Sequence, residues 1–321
     1  MKRFDVVTIG GATEDIAFTV DDYVLLDNTA DPLRQKLVGF EYGSKIGVTD
    51  TRLSFGGGAA NTAVSFARLG KKTATVIAVG KDDRGEHIIK NLKNHAINCR
   101  SIERVSGNSG MSFILLTKSG EHVLFTDRGV NDKLAINRAA VKLIKKAKRV
   151  YLSSLSGTWK AVLSDIFEHD ALVAWNPGRK QLSAGFSVLK PFLERTDILI
   201  LNKDEALELV LSKRGEARRS ESTSYLLKKL RSFGPRIVVI TEGAKGAHGF
   251  DGTKIYKQAA RKEKVVDTTG VGDAFASAFV AVYDTRGDIV KALRCAMKNA
   301  ASVVSKPGAQ HGLLSARQLG I

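Results

Sequence analysis

The chain has 321 residues, of which 43% are apolar, with fifty lysines and arginines against thirty-three aspartates and glutamates, a formal net charge of +17. That length holds one extended α/β domain or two modest ones, and the composition is that of a soluble globular protein. The longest apolar run, FASAFVAV, falls far short of the ~18 residues a membrane span needs. The opening MKRFDVVTIGG reads as a short strand and not as a signal peptide, and Cys99 and Cys295 have neither a disulfide framework nor zinc spacing around them.

FDVVTI, residues 4 to 9, is expected as a buried strand ending at Gly10 and Gly11, with Asp15 just past its carboxyl end, where open α/β sheets place ligand contacts. A turn or capping carboxylate is the plain alternative. Residues 17–55 carry alternating apolar positions without a helical period and suit strands outside the main sheet. Gly56, Gly57 and Gly58 precede a helix that contains Asn61 and buries Ala63, Phe66, Ala67 and Leu69; Gly70 closes it, and a strand over 73–79 follows. Asp82, Asp83 and Gly85 lead into a helix from 86 to 95. SFILLTKSGEHVLFTDRG reads as a hairpin with Ser119 and Gly120 in its turn, followed by RGVN ending at Asn131.

From residue 133 helices and strands alternate through RVYLSSL, ALVAWNPG and DILILN, the pattern of βαβ units and a mostly parallel sheet covered on both faces. Asn202 then stands at a strand end with Glu205 three residues on, a spacing that is also an ordinary helix-capping pattern. The strand RIVVIT runs into TEGAKGAHGF, a glycine-containing connection between strands. Residues 212–223 are expected as a polar surface excursion.

The stretch VVDTTGVGDAFASAFVAVY, residues 265 to 283, carries the chemistry. A β-branched strand end passes through Asp267, Thr268 and Thr269 into Gly270, Val271 and Gly272, and a helix is expected to open at Asp273. Unpaired N–H groups and the helix dipole make such a turn an anion site, and a carboxylate there suits proton removal from an attacking hydroxyl. Asp is also a common N-cap, which explains a bare GxGD equally well.

In order and spacing these segments resemble the ribokinase-like (PfkB) family of sugar and nucleoside kinases. DTTGVGDAF is similar to its DTxGxGD signature, GGGAANTA to its glycine–asparagine helix start, NKDE to its NxxE, and TEGAKG to its TxGxxG loop. The resemblance covers essentially the whole chain. It implies one domain with a three-layer α/β/α fold, a mostly parallel central sheet, and a small β-lid built from segments about 16–55 and 100–126. Asp273 would be the base, with the N–H groups of Gly270, Val271 and Gly272 stabilising the transferred group. Asp15, Gly56, Gly57, Gly58 and Asn61 would bind the substrate. Asn202, Thr241, Gly243, Gly246, Gly270, Gly272 and Asn299 would contact ATP, Asn299 beside the adenine. Glu205 would serve Mg2+ through water, and Asp267 and Thr269 lie where ribokinases hold a monovalent cation, which brings in K+. The helix dipole is expected to keep Asp273 ionised at neutral pH.

The implied function is transfer of the γ-phosphate of MgATP to a hydroxymethyl group of a sugar or sugar derivative, in the cytoplasm. Two alternatives stay open: a nucleoside kinase, whose base wall would come from Phe18, Phe40, Tyr42 or Phe113, and a noncatalytic ligand-binding protein. Thr13 and Gly58 stand where ribokinase itself has asparagine and lysine, which leaves sugars, sugar phosphates and nucleosides as candidate substrates. The basic excess is spread over residues 142–149, 213–219, 228–231 and 261–264, each expected on a solvated face. No aromatic interleaving or nucleic-acid motif accompanies it, so phosphorylated ligands, and neither nucleic acid nor membrane, are the expected partners. Lid strand edges offer pairing between subunits, a homodimer through the lid.

Overall fold

A computed structural model of the chain describes residues 3–27, 36–117, 122–213 and 222–321. The β-branched runs FDVVTI, RVYL, LVAW, ILIL and IVVIT are buried almost throughout, as strands covered on both faces must be. They form an eight-stranded sheet. Its parallel part runs Thr73–Val76, Phe4–Ile9, Ala147–Leu152, Leu172–Trp175, Ile198–Asn202 and Ile237–Thr241, and the antiparallel Ala247–Phe250 and Ile255–Gln258 extend the last edge.

Successive strand residues alternate between two apolar layers. Val7, Val150, Val173, Leu199 and Val238 join one cluster with the helices Trp159–Phe167, Lys203–Leu211 and Thr223–Ser232. Val6, Tyr151, Ala174, Ile198 and Val239 join the other with Gly58–Arg68, Val271–Arg286 and Ile289–Val304. The result is the expected three-layer α/β/α architecture. The Val271–Arg286 helix is buried from Ala274 to Val282, an all-round burial that places it at the centre of its layer. Small side chains let it press on the Gly58–Arg68 helix, where the Ser277 and Ser65 hydroxyls meet at 2.7 Å.

Beyond the carboxyl edge of this sheet stands a four-stranded sheet ordered His122–Asp127, Gly110–Thr117, Thr13–Val20, Val48–Gly56. Its limits differ from 16–55 and 100–126: it starts at Thr13, and Glu103–Val105 pairs instead with Ala78–Gly80, which also divides the strand expected over 73–79. Asp15 lies opposite both Ser112 and Ser54, so one face carries a polar row. The next row, on the other face, is Phe125, Phe113, Ile16 and Leu53. The turn at Ser119 and Gly120, and residues 214–221 of the polar excursion, lie outside the described residues.

Two further expectations change. Val265 and Val266 are exposed and form no strand; Val266 and Asp267 donate their N–H groups to Val304 O at 2.8 and 3.2 Å, tethering the segment to a helix end. Arg149, in a run expected on a solvated face, is buried, with its guanidinium held by Asp284 and Asp197. Among the described residues no helix is long and apolar enough to cross a membrane.

Candidate active site

Parallel strands bring their carboxyl ends to one edge, and Gly10, Ser153, Asn202 and Thr241 all stand there. Asn131 holds the first turn open: its Oδ1 accepts from Ala12 N at 3.0 Å and its Nδ2 donates to Ala12 O at 2.8 Å. That clamp aims the chain into the outer sheet and sets Asp15 over the edge.

Asp15 is buried. Its Oδ1 accepts from Thr13 Oγ1 at 2.8 Å, and the Ser112 hydroxyl also bonds to it. Burial raises its pKa against those hydrogen bonds, with the negative charges of Asp267 and Glu14 adding to the rise. The three glycines are explained by close approach. A β-carbon on Gly56 would sit 2.1 Å from Asp15 Oδ2. One on Gly57, which has φ +87, would meet Ala12 Cα at 2.5 Å, and one on Gly58 would lie 2.7 Å from Ser153 Cβ and 3.5 Å from Asp273 Oδ1. The helix start is thereby pressed against the site.

The glycine turn begins the Val271–Arg286 helix two residues earlier than expected, with Gly270 as N-cap in the left-handed region. A β-carbon there would meet Ala309 Cβ at 2.4 Å, whereas one on Gly272 would meet no heavy atom within 4 Å. The protein itself demands glycine at the first position only; the second leaves open space. Among the described residues the N–H groups of Gly270, Gly272 and Asp273 have no acceptor, while that of Val271 reaches Thr268 O at 3.4 Å. The cradle therefore has room and donors for a phosphate.

Asp273 stands in that first turn, half-buried, and accepts from Asn61 Nδ2 at 2.9 Å. Burial pushes its carboxyl up to about 6 against the opposing pull of the Asn61 hydrogen bond. Desolvation thus outweighs the helix terminus, and at pH 7 the group is still mostly ionised, by about ten to one. Such a carboxylate suits general-base work near neutrality. Asn61, expected on substrate hydroxyls, spends one N–H on Asp273, and its Oδ1 accepts from Gln310 Nε2 at 3.0 Å.

Asn202 and Glu205 form a complete capping box, Asn202 Oδ1 accepting from Glu205 N and Glu205 Oε2 from Asn202 N, both at 2.9 Å. Burial also raises the Glu205 pKa. Thr241 is in register with Asn202 on the neighbouring strand, and the tight turn with Gly243 and Gly246 follows it. Asp267 accepts from Thr269 N and Gly308 N, each at 2.8 Å, so its carboxylate folds the loop before the helix.

Asn299 is corrected. It is completely buried, donates to Ala274 O at 2.8 Å and accepts from Leu314 N at 2.9 Å. It ties two helices and the C-terminal segment together and has no surface for an adenine. Ser153, against Gly58, and Gln310, bonded to Asn61, stand at the candidate site as well. Ser153 carried a signal, being the residue after a parallel strand; Gln310 carried none, since its role depends on reaching Asn61 across 249 positions. A cavity of about 430 Å3 opens at the other edge of the sheet, but its Asp5 and Lys148 pair with each other at 2.7 Å and none of the candidate site residues lines it.

The profile of the pfkB family carbohydrate kinases matches residues 22–316. The chain is 30% identical over 265 residues to ribokinase of Bacillus subtilis, covering 80% of this chain and 84% of that one. It is 28% identical over 265 residues to an ATP-dependent ribose-1-phosphate kinase of Halopiger xanaduensis, covering 82% and 84%. The solved structure of Arabidopsis thaliana ribokinase, complexed with ribose and ATP, superposes with a TM-score of 0.80 at 22% identity, covering 98% of this chain and 97% of that one. With the fold, the glycine cradle and this match in hand, the chain belongs to the pfkB family of carbohydrate kinases.

Proposed function

We propose that the chain, as a member of that family a phosphotransferase with an alcohol acceptor, moves the γ-phosphate of MgATP to a hydroxymethyl group of a sugar or sugar derivative, with Asp273 as the base. The observation that carries this reading is the placement of the Asp273 carboxyl beside three N–H groups that have no acceptor among the described residues, at an open glycine turn.

Asp273 takes the acceptor hydroxyl's proton as its oxygen attacks the terminal phosphorus and the bond to the leaving nucleotide oxygen breaks. The N–H groups of Gly270, Gly272 and Asp273 stabilise charge on the transferred group, the main contribution proteins make to phosphoryl transfer. Asp15, with Thr13 and Ser112 beside it, orients the acceptor's remaining hydroxyls. Asn202, Thr241, Gly243 and Gly246 border the nucleotide, and Glu205 is the carboxylate for Mg2+ through water. Mg2+ keeps several waters and is commonly bound through one or two carboxylates together with substrate phosphates. When bound, Mg2+ would neutralise charge on the phosphates. Asp267 and Thr269 would serve K+ at the loop before the helix, which Asp267 shapes by accepting one N–H on each carboxylate oxygen.

A sugar is favoured over a nucleoside because the candidate aromatics turn away. Phe18 and Phe113 alternate to the face opposite Asp15, and Phe40 and Tyr42 are exposed. The exposed row of Phe125, Phe113 and Leu53 supports a homodimer through the outer sheet, which acts as the lid. The reading is tested by ADP release from MgATP with ribose, fructose, phosphorylated hexoses, 2-keto-3-deoxygluconate and adenosine. Turnover on a sugar class supports it, and turnover on adenosine alone contradicts it.

A further inference from the structure

We propose that Gln310 is a positioning residue, which through a one-way chain of amide hydrogen bonds turns the Asn61 side chain so that its NH2, and not its carbonyl, faces Asp273. The chain has three links. Asn91 Nδ2 donates to Gln310 Oε1 at 3.0 Å, Gln310 Nε2 to Asn61 Oδ1 at 3.0 Å, and Asn61 Nδ2 to Asp273 Oδ2 at 2.9 Å. An ionised carboxylate only accepts, and each amide has its donor and acceptor on opposite sides, so the direction at one link sets the direction at the others.

Direction matters because the two ends of an asparagine amide are nearly the same size. The ionised carboxylate itself calls for an N–H, but once Asp273 is protonated Asn61 alone fits its place either way, and the wrong way points a carbonyl dipole at a carboxyl that must then lose its proton. Beside Asp273, Gln310 is the side chain that bonds the Asn61 amide, whereas the N–H of Asn61 to Gly57 O at 2.9 Å is blind to the amide's direction. Gln310 is held in turn by Asn91 on the Asp83–Asn94 helix and by Arg68, whose guanidinium donates to Gln310 O at 3.4 Å. With Arg68, Asn91, His95 and His311 it lines a cavity of about 260 Å3 behind the catalytic pair, which gives a changed side chain room. The titratable group facing Asp273 itself is the buried Tyr151 hydroxyl on the adjoining strand; on the relay side the charged or titratable groups are Arg68, His95 and His311.

The inference rests on Asp273 being the base, but its test need not use turnover. Gln310→Glu keeps the contact with Asn91 and puts an acceptor against Asn61 Oδ1, forcing the amide to reverse. Gln310→Met keeps the length and removes the bond without reversing it. Melting temperature against pH is measured for wild type and both variants, each with and without Asp273→Asn. The difference between the two backgrounds isolates the titration of Asp273. Its midpoint is expected to rise by about one pH unit in Gln310→Glu and by less than half as much in Gln310→Met. A Gln310→Glu midpoint equal to that of wild type, or an equal rise in both variants, overturns the relay. Turnover is read separately as ADP release from MgATP with ribose, fructose and fructose 6-phosphate. A shifted midpoint beside undiminished turnover in Asp273→Asn keeps the relay and removes Asp273 as the base.

Discussion

Asp15 Oδ2 occupies the space that a β-carbon on Gly56 would need, the two atoms falling 2.1 Å apart. The carboxylate and the missing side chain are thus one feature of the site, built where the outer sheet returns to the helix carrying Asn61. Gly56→Ala should displace Asp15 from Thr13 and Ser112. Overpacking of this kind costs about 1–3 kcal/mol. The acceptor KM should rise at least tenfold with the KM for MgATP nearly unchanged, which steady-state kinetics and thermal melting would check together.

Gly270 and Gly272 should separate fold from function. Alanine at 270 takes a positive φ and meets Ala309, so it should lose on the order of 2 kcal/mol of stability. Alanine at 272 enters open space and should melt within about 0.5 kcal/mol of wild type. Its turnover with MgATP should nevertheless fall at least tenfold, because the methyl group fills the cradle. Equal losses of stability in the two variants would remove the distinction.

The Asp273 carboxyl, raised to about 6 by burial, gives opposite signs for activity and stability. The base works when ionised, so kcat/KM should fall as the pH drops below about 6. A carboxyl whose pKa is higher folded than unfolded favours the fold most when protonated, and that contribution is lost as the pH rises through the folded value. Asp273→Asn should therefore melt above wild type at pH 7, by on the order of 2 kcal/mol, with the gap closing toward pH 4. Paired melts across pH 4–8 measure it.

Much of this was legible because local chemistry decides it. Apolar β-branched runs announced the parallel strands, and glycines beside an aspartate announced the tight turn into a helix. What was hidden depends on contacts distant in sequence. Asn61 reads as a substrate ligand, yet the carboxylate it bonds lies 212 positions away. Asn299 reads as a nucleotide contact until Leu314 is packed over it. Arg149 looks like part of a basic surface run because its partners, Asp197 and Asp284, come from two other elements.

Glu205 carries two roles that substitution can part. Gln at the third helical position also completes a capping box, so Glu205→Gln should melt within about 0.5 kcal/mol of wild type. If the carboxylate serves Mg2+ through water, the Mg2+ concentration for half-maximal turnover should rise several-fold. An unchanged Mg2+ dependence would leave Glu205 as a helix cap alone.

The most direct measurement compares wild type and Asp273→Asn for phosphoryl transfer at pH 7.5, with MgATP binding followed in parallel by calorimetry. The account predicts a fold that melts no lower, MgATP affinity within about threefold, and a loss of turnover of about 10³-fold, within the range a general base contributes. A variant that binds MgATP and still turns over within tenfold of wild type would contradict the assignment of the base.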